Sequence, residues 1–455
     1  MALLDSRKVL TREKRNGTLS HYHGTLASIL EDSAGETLQQ RVRTFSQSTP
    51  GEIIYVLEAI SAIPGIAVVI NGAAGCSASA LRFNAGRNVP WYSTNLNEGD
   101  TILGGDQKLR SAIQRAYNEN HPELIYIIGS PIIAINNDDV ESVVREMGEE
   151  LDCRILYIDV NGFRTKNAVT GYDALYHSLL KNLIEPKQTQ SKPFINLVSV
   201  SENPRNTAAI ADLLGALDIP CNIIPRFSGI RAIRRAGSAA FSVSLNDGEN
   251  EYLMTGLEES FGVPWLRTNP PVGTAAVYDF VKKAAAKFSP EAAASAGALI
   301  EKEQRQARLS LSKKPFAGKR IFLDMDLHLL VGFSSLVDEL GGEVSGIAIS
   351  YLDSGNKEKL KELAFLPPAT PVIIAQGQQF EIANLLYKSV PDFYIGKSAR
   401  AAARLGINAL AIDRLLYYGY TGVGETARRA AGADSVYAEL LKRKEKKRIF
   451  TLMPG

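Results

Sequence analysis

The chain has 455 residues, about three times the length of a typical domain, which excludes a single compact core and favours several domains. Its side chains are 45% hydrophobic and 22% charged, a composition that excludes fibrous and intrinsically disordered proteins. The 51 basic and 49 acidic side chains leave a net charge of only +2, so no global field would hold nucleic acid or an anionic membrane surface.

Short apolar runs alternate with amphipathic helical stretches along the chain, which predicts βαβ units and parallel sheets. In the first third the predicted strands are 65–71, 124–129 and 154–160, and the predicted helices are 106–118 and 138–151. The polar, proline-bounded segment 185–193 predicts a linker. After it the predicted strands are 194–200, 221–225 and 239–244, with helices at 206–217, near 230–237 and from about 252.

A long helical stretch is predicted from Ala275 to about Leu311, and a third unit opens with a strand after Gly318. Its further strands are predicted at 343–349, 370–375 and 393–396, with helices at 329–340, 357–363, 379–387 and 399–405. We therefore predict an α/β protein with three Rossmann-like, doubly wound domains whose parallel sheets surround a central cleft. The predicted boundaries are an N-terminal extension at 1–40, domain 1 at 41–190, domain 2 at 191–315, and domain 3 with a C-terminal helix at 316–455.

No targeting or membrane segment is predicted. The first 20 residues contain no apolar stretch of signal-peptide type, and the longest apolar runs, such as 66–70 and 124–128, have the length of strands. The three cysteines, Cys76, Cys153 and Cys221, show no paired spacing, which argues against a disulfide framework and for a reducing compartment. We therefore expect a cytoplasmic protein with neither a nucleic-acid nor a membrane partner.

The glycine-rich turn 71–79 (NGAAGCSAS) is the first candidate site. It directly follows a predicted buried strand, so Cys76 should lie at the carboxyl end of a parallel strand, where α/β proteins bind ligands. A thiol there could ligate a metal or act as a nucleophile, although a small buried apolar thiol is an equally good interpretation. The sequence has no GxxxxGK[ST] phosphate loop, no HExxH zinc motif and no GxSxG nucleophile motif.

Several motifs follow one another in the first predicted domain. They are Ser48-Thr-Pro50-Gly-Glu, Asn71-Gly-Ala-Ala-Gly-Cys76, the segment 93–105, Ile127-Ile-Gly-Ser130-Pro, Asn137-Asp-Asp139 and Asn161-Gly-Phe163. Segments 206–219, 257–264, 391–396 and 418–422 continue the same pattern. In this order the motifs resemble the nitrogenase component 1 family, which includes molybdenum–iron protein subunits, cofactor-assembly scaffold relatives and dark-operative protochlorophyllide reductases. The resemblance covers roughly residues 40–430.

The resemblance implies an oxidoreductase that is active only with partner proteins. A homologous α-type subunit would pair with this chain in a heterodimer or an α2β2 heterotetramer. An Fe-protein-like, ATP-dependent reductase would dock on that complex, and ATP would bind only to the reductase. Electrons would enter at an iron–sulfur cluster, 4Fe–4S or larger, at the interface of the two homologous subunits. The family's cluster ligands correspond here to Ser48, Cys76 and Ser130, with Cys76 as the expected metal ligand.

Only one of these three positions is a cysteine, and a serine oxygen is a harder and poorer ligand for iron–sulfur clusters than a thiolate. The chain is therefore not expected to hold a cluster alone. Cys76 could supply one ligand beside a partner's thiolates, with Ser48 or Ser130 as auxiliary ligands. Alternatively the partner supplies every ligand, or no cluster is bound.

The family's cofactor-bearing α-type subunits also use a cysteine in the second domain and a histidine in the third. Here Cys221 is the only thiol of the second unit and is interpreted as a small buried residue, while His328 is the only histidine of the third. We therefore predict the β-type subunit of a nitrogenase-like two-component reductase. The alternatives are a scaffold subunit for metal-cofactor maturation and a non-redox binding subunit. Dinitrogen, a tetrapyrrole, a carbon–sulfur compound and a cofactor precursor all remain open as substrates, and no catalytic residue is assigned.

Overall fold

The computed structural model describes residues 18–19, 21–35, 51–61, 63–83, 88–160, 162, 169–187, 192–375 and 378–432. The strands are β1 (His21–Thr25), β2 (Ile66–Asn71), β3 (Trp91–Ser93), β4 (Leu124–Gly129), β5 (Arg154–Asp159), β6 (Ile195–Ser199), β7 (Cys221–Pro225), β8 (Ser242–Ser244), β9 (Arg320–Asp324), β10 (Glu343–Ile349), β11 (Pro371–Ala375), β12 (Phe393–Gly396) and β13 (Asn408–Ala411).

The helices before the predicted linker at 185–193 are α1 (Leu26–Ser33), α2 (Glu52–Ile60), α3 (Ala74–Phe83), α4 (Glu98–Leu103), α5 (Asp106–Asn120), α6 (Pro131–Asn136), α7 (Val140–Glu150) and α8 (Thr170–Asn182). The later helices are α9 (Pro204–Gly215), α10 (Ile230–Arg234), α11 (Asp247–Phe261), α12 (Thr274–Phe288), α13 (Pro290–Leu311), α14 (Leu327–Glu339), α15 (Gln379–Ser389), α16 (Ala399–Arg404) and α17 (419–432). Within the described part of the chain, no helix is both long and apolar enough to cross a bilayer.

Two parallel sheets make up the first of two compact units, which takes in the described residues of 49–202 and 220–267. One sheet has the strand order β3-β2-β4-β5 and the other has the order β7-β6-β8. Strands β2 and β4 are buried along their whole length, because both are apolar runs and residues of α5 and α7 pack with them in one core cluster. The α/β class with parallel sheets is confirmed.

Each of these two sheets has a topological switch point, where the direction in which strands are added reverses. Strand β3 lies on one side of β2 and β4 on the other, so the first switch point falls between β2 and β4. Strand β7 likewise lies on one side of β6 and β8 on the other, which puts the second between β6 and β8. Ligands of open α/β sheets bind in the crevice outside the carboxyl ends of the strands at such points.

A six-stranded sheet organises the second unit, which takes in the described residues of 19–48, 203–219 and 268–455. Its order is β1-β11-β10-β9-β12-β13, and only β1 runs antiparallel to its neighbour. Strand β1 belongs to the 40 residues that the sequence sets apart as an extension, yet it pairs with β11 over five residues, from His21 opposite Ala375 to Thr25 opposite Pro371. The three-domain boundaries themselves stay a prediction.

The predicted helical stretch from Ala275 to Leu311 is confirmed, but the chain divides it into two helices, α12 and α13, at Ser289. That residue has extended backbone angles (φ −161°, ψ 158°), and its hydroxyl accepts a hydrogen bond from the Ala292 N–H at 3.1 Å. Pro290 then takes the first helical position, where its missing N–H costs nothing. A new helix, capped by Ser289, therefore starts at Pro290. The predicted helix 357–363 is instead a 3₁₀ segment, Lys357–Leu363.

Candidate metal-ligand site

The three cysteines lie at different ends of their strands. Cys76 is in the first turn of α3, just beyond the carboxyl end of β2. Cys221 is the first residue of β7, and Cys153 directly precedes β5, so both lie at the amino ends of parallel strands. Because ligands of parallel sheets bind at the carboxyl ends, Cys76 is the one cysteine of the chain placed for ligand chemistry.

The two other cysteines are also poor ligands on electrostatic grounds. Burial raises the pKa of the Cys153 thiol to about 11 and that of the Cys221 thiol to about 12. Metal ligation and nucleophilic attack need the thiolate, which the raised pKa disfavours in both side chains. None of the three cysteines forms a disulfide.

Cys76 and Ser130 meet at Gly72. A Cβ atom placed on Gly72 would lie 2.1 Å from Ser130 Oγ, 2.7 Å from Ser130 Cβ and 3.6 Å from Cys76 Cβ. The Cβ atoms of Cys76 and Ser130 are therefore no more than about 6.3 Å apart, the sum of two of these distances. The switch point between β2 and β4 thus brings together two of the three positions that the sequence singles out. The third, Ser48, lies outside the described residues.

The Ser130 hydroxyl is buried at this point. Ser130 is 0% exposed. It precedes α6, but its side chain does not cap that helix. Within the described ranges, Ser130 Oγ has no hydrogen-bond partner. The main chain is fixed instead, because the Ser130 N–H donates to the Asn71 carbonyl at 3.0 Å. A buried polar atom without a partner is uncommon in a native structure and points to a group that completes the site.

A hydrogen-bond network holds the turn that carries Gly72. The Gly72 N–H donates to Thr94 Oγ1 at 2.9 Å, and Thr94 Oγ1 lies 3.0 Å from Asn71 Oδ1. The Leu96 N–H donates to the Gly72 carbonyl at 2.9 Å. The sequence motifs contain Asn71, Gly72 and Thr94 without showing that they meet, so the network is a finding of the structure. It fixes the backbone from which Cys76 extends.

Glu52, which ends the Ser48 motif, has a structural role in the described part of the chain. Its buried carboxylate accepts hydrogen bonds from the Gly162 N–H at 3.0 Å and from the Thr170 hydroxyl at 2.6 Å. A Cβ atom on Gly171 would come within 2.4 Å of the Glu52 carbonyl oxygen, so α2 and α8 approach closely there. This glutamate anchors the start of α2.

Two acidic clusters in the sequence motifs cap helices. Asp139 accepts a hydrogen bond from the Ser142 N–H at 3.1 Å at the start of α7, and bonds from Ser142 lower the pKa of its carboxyl. Asp100 accepts from the Asn97 N–H at 2.7 Å in a capping box that opens α4, and this bond lowers the Asp100 pKa. Neither cluster is therefore left for metal binding.

Large apolar side chains are exposed on the helices that follow the carboxyl ends of β3 and β4. Ile102 and Leu103, at the end of α4, are 81% and 88% exposed, and Ile135 on α6 is 65% exposed. This is the same edge of the sheet that carries Cys76 and Ser130. Exposed apolar groups beside a candidate site are typical of protein-binding surfaces.

The donor set at this edge fits one corner of an iron–sulfur cluster rather than a whole binding site. Cubane clusters are usually held by four thiolates, and the edge offers one half-buried thiol and one buried hydroxyl. Throughout the described residues, no three histidine, cysteine, aspartate or glutamate side chains come together as metal ligands. Any complete cluster site must therefore draw most of its ligands from elsewhere.

Comparison with known proteins decides the family. The family model described as "Nitrogenase component 1 type Oxidoreductase" matches residues 55–433, which is most of the chain. The chain belongs to the nitrogenase component 1 family. The sequence resemblance is thereby confirmed, and the coarse assignment to a family of oxidoreductases holds.

The relatives of this nitrogenase component 1 family member include proteins of several functions. The nitrogenase iron-molybdenum cofactor biosynthesis protein NifE of Methanosarcina barkeri is 24% identical over 367 residues, which cover 74% of this chain and 77% of that protein. A light-independent protochlorophyllide reductase chain of Chloroflexus aggregans is 23% identical over 280 residues, covering 57% and 50%. The solved structure "Nitrogenase Cp1 at pH 5" superposes with a TM-score of 0.74 at 16% identity, covering 95% and 96%, which shows a shared fold.

Proposed function

We propose that this chain is a scaffold-type subunit of the nitrogenase component 1 family, on which a metal cofactor is matured together with a homologous, cysteine-richer subunit. The observation that carries the proposal is the single thiol at the switch point between β2 and β4, where Cys76 stands beside a buried serine hydroxyl. Similarity to NifE proteins over about three quarters of the chain supports the scaffold role over the electron-receiving β-type role expected from the sequence.

In this proposal Cys76 supplies one thiolate to a cluster whose other ligands come mainly from the partner subunit. Ser130 would face the same corner, and Ser48 would be a further auxiliary position. A bound cluster would supply iron and sulfide for assembly and a place to store electrons. An oxygen ligand binds cluster iron less well than a thiolate does. The iron atom at the corner of the cluster that faces Ser130 should therefore be released and replaced more readily than the others. An exchangeable corner suits a protein that passes its metal group on.

The exposed Ile102, Leu103 and Ile135 side chains support a second partner on the same edge. Their exposure of 65% to 88% is costly for a protein that never covers them. An Fe-protein-like, ATP-dependent reductase is the partner that the family suggests, with ATP bound on that partner. Docking there would bring the electron donor to the edge that carries Cys76.

Two other functions remain as candidates. The similarity to a light-independent protochlorophyllide reductase chain favours the β-type subunit of a two-component reductase that turns over a substrate. The second candidate is a non-redox binding subunit. The edge of the sheet that carries Cys76 and Ser130 favours it, because the described candidate ligands there are only one thiol and one serine hydroxyl.

A transfer experiment tests the scaffold role. The complex of this chain with its homologous subunit is purified without oxygen and mixed with a metal-free component 1 acceptor, and the metal content of both proteins is measured after separation. The scaffold role predicts that iron moves to the acceptor. Catalytic reduction of a substrate by the complex, with no transfer, would instead establish the β-type reductase.

Two serine variants sharpen this test. Ser130→Cys adds a thiolate to the exchangeable corner and should slow the transfer of iron, because the corner is then held by a softer ligand. Ser111→Cys adds a thiol on an exposed position of α5 and should leave the transfer unchanged. Equal transfer rates in both variants would remove Ser130 from the site.

A further inference from the structure

Two buried hydrogen-bond donors stand without acceptors at the carboxyl edge of the second sheet, β7-β6-β8. They are the Arg226 Nε–H and the Asn246 side-chain N–H group, and within the described part of the chain neither has a hydrogen-bond partner. Arg226 directly follows β7, and Asn246 follows β8 by two residues. Both lie in the first compact unit, at the edge that holds the second switch point.

The strand register puts the two donors at one level of the sheet. Ser199 of β6 is opposite Pro225 of β7, and Val198 of β6 is opposite Ser244 of β8. One and two residues further along, Arg226 and Asn246 therefore stand on either side of Val200. Strands in a sheet are about 4.8 Å apart, so the two backbones are separated by about 10 Å. Side chains of this length can reach a common ligand from the two sides.

The Arg226 side chain reaches the main chain that follows β6. Its Nη1 donates to the Val200 carbonyl at 2.8 Å and to the Glu202 carbonyl at 3.3 Å. The guanidinium also lies 4.9 Å from the centre of the Phe227 ring. In the described residues it forms no ion pair. The Arg226 charge is thus held rigidly in place, with carbonyl oxygens rather than a carboxylate as its hydrogen-bond acceptors.

The Asn246 side chain is fixed by its role as the cap of α11. Its Oδ1 accepts a hydrogen bond from the Glu249 N–H at 3.3 Å, which identifies the other terminal atom as the amide nitrogen. The residue is 2% exposed, and the Asn246 N–H donates to Ser244 Oγ at 3.1 Å. The side-chain amide nitrogen is buried and has no hydrogen-bond partner among the described residues.

We propose that this edge is a binding site for a small oxyanion, the carboxylate or phosphate group of a ligand, held between Arg226 and Asn246. Such a group offers the oxygen acceptors that both donors lack, and a guanidinium without an ion-pair partner matches its charge. Two buried glutamates lie near this edge, Glu202 and Glu249, and neither carboxylate accepts a hydrogen bond from the two donors. The Glu249 carboxylate, in the first turn of α11, accepts from the Ser201 hydroxyl instead. The site does not depend on the cluster edge at Cys76 or on the proposed scaffold role.

Calorimetric titration of the full chain with inorganic phosphate and with acetate, at constant ionic strength, tests the proposal. The wild-type protein should bind at least one of the two anions saturably at one site, and the preferred anion distinguishes a phosphate from a carboxylate ligand. Asn246→Ser keeps a capping oxygen and removes the donor, so it should weaken binding about 10- to 100-fold, the effect of one lost hydrogen bond to a charged group. Arg226→Gln should weaken binding at least as much.

The matched controls are Asn97→Ser and Arg231→Gln. Asn97 caps α4 and Arg231 is an exposed arginine of α10, so neither change should alter anion affinity. If Arg226→Gln does not fold, the anion affinity of Asn246→Ser alone tests the proposal. The proposal is overturned if neither anion binds saturably at up to tens of millimolar, which would leave water as the partner of both donors. It is equally overturned if Asn246→Ser binds as tightly as the wild type.

Discussion

Replacement of Gly72 by alanine tests the geometry on which the candidate site depends. The new methyl group would lie 2.1 Å from Ser130 Oγ and 2.7 Å from Ser130 Cβ, well inside contact distance. Ser130 cannot move away easily, because its N–H is bonded to the Asn71 carbonyl and it joins β4 to α6. Overpacking of this kind costs about 1–3 kcal/mol, so we expect Gly72→Ala to lower the free energy of unfolding by that amount.

The change at Gly72 has a control and a rescue within the same site. Gly75 lies three residues further along in α3 with nothing within 4 Å of its Cβ position, so Gly75→Ala should be neutral or stabilise by up to about 1 kcal/mol. Ser130→Gly removes both clashing atoms and should restore most of the lost stability in the double variant. Urea unfolding of the four proteins measures these differences. Equal stability of Gly72→Ala and Gly75→Ala, or no rescue by Ser130→Gly, would refute the packing of Gly72 against Ser130.

Three further predictions follow from buried side chains. Glu52→Gln weakens the two hydrogen bonds that the carboxylate accepts, including that from Thr170, and should cost about 1–3 kcal/mol in urea unfolding; an unchanged midpoint would contradict the anchoring role. Burial raises the pKa of the Asp324 carboxyl, so its contribution to stability is complete below the unfolded pKa of about 3.9 and is lost as pH rises through the folded value. Asp324→Asn should therefore be more stable than the wild type at pH 7 and lose this advantage toward pH 4, and parallel pH profiles would disprove the assignment. The raised pKa values of Cys153 and Cys221 predict alkylation at pH 8 at least about 100-fold slower than that of an ordinary cysteine, and mass spectrometry that finds ordinary rates would show that their burial is overstated.

The sequence predicts the parallel-sheet architecture well, because buried parallel strands are continuous apolar runs. The predicted strands 124–129 and 221–225 agree residue for residue with β4 and β7. Prediction from the sequence fails where contacts with distant parts of the chain, rather than the local residue pattern, determine the secondary structure. Strand β1 has no apolar run and becomes a strand only by pairing with β11. The division of the helical stretch into α12 and α13 agrees with the Ser289-Pro290 pair, because serine caps a helix and proline fits its first position.

The candidate site, too, is predicted from the sequence only in part. The rule that ligands bind beyond the carboxyl ends of parallel strands selects Cys76 from the sequence, and Ser130 is added only by the family resemblance. That the two side chains meet at Gly72 depends on the order of strands in the sheet, which a single sequence does not display. The sequence also does not predict that the donors of Arg226 and Asn246 lack acceptors, because a missing hydrogen bond is a property of the folded chain.

Iron content together with electron paramagnetic resonance of the purified complex tests the central claim most directly. The chain is co-expressed with its homologous subunit without oxygen, as the wild type, as Cys76→Ala and as the control Cys153→Ala, whose cysteine lies at the amino end of β5. We expect the wild type and Cys153→Ala to carry the same cluster iron and signal, and Cys76→Ala to lose most of the iron or change the signal. A Cys76→Ala complex with unchanged iron and an unchanged signal would contradict the claim that Cys76 is a cluster ligand.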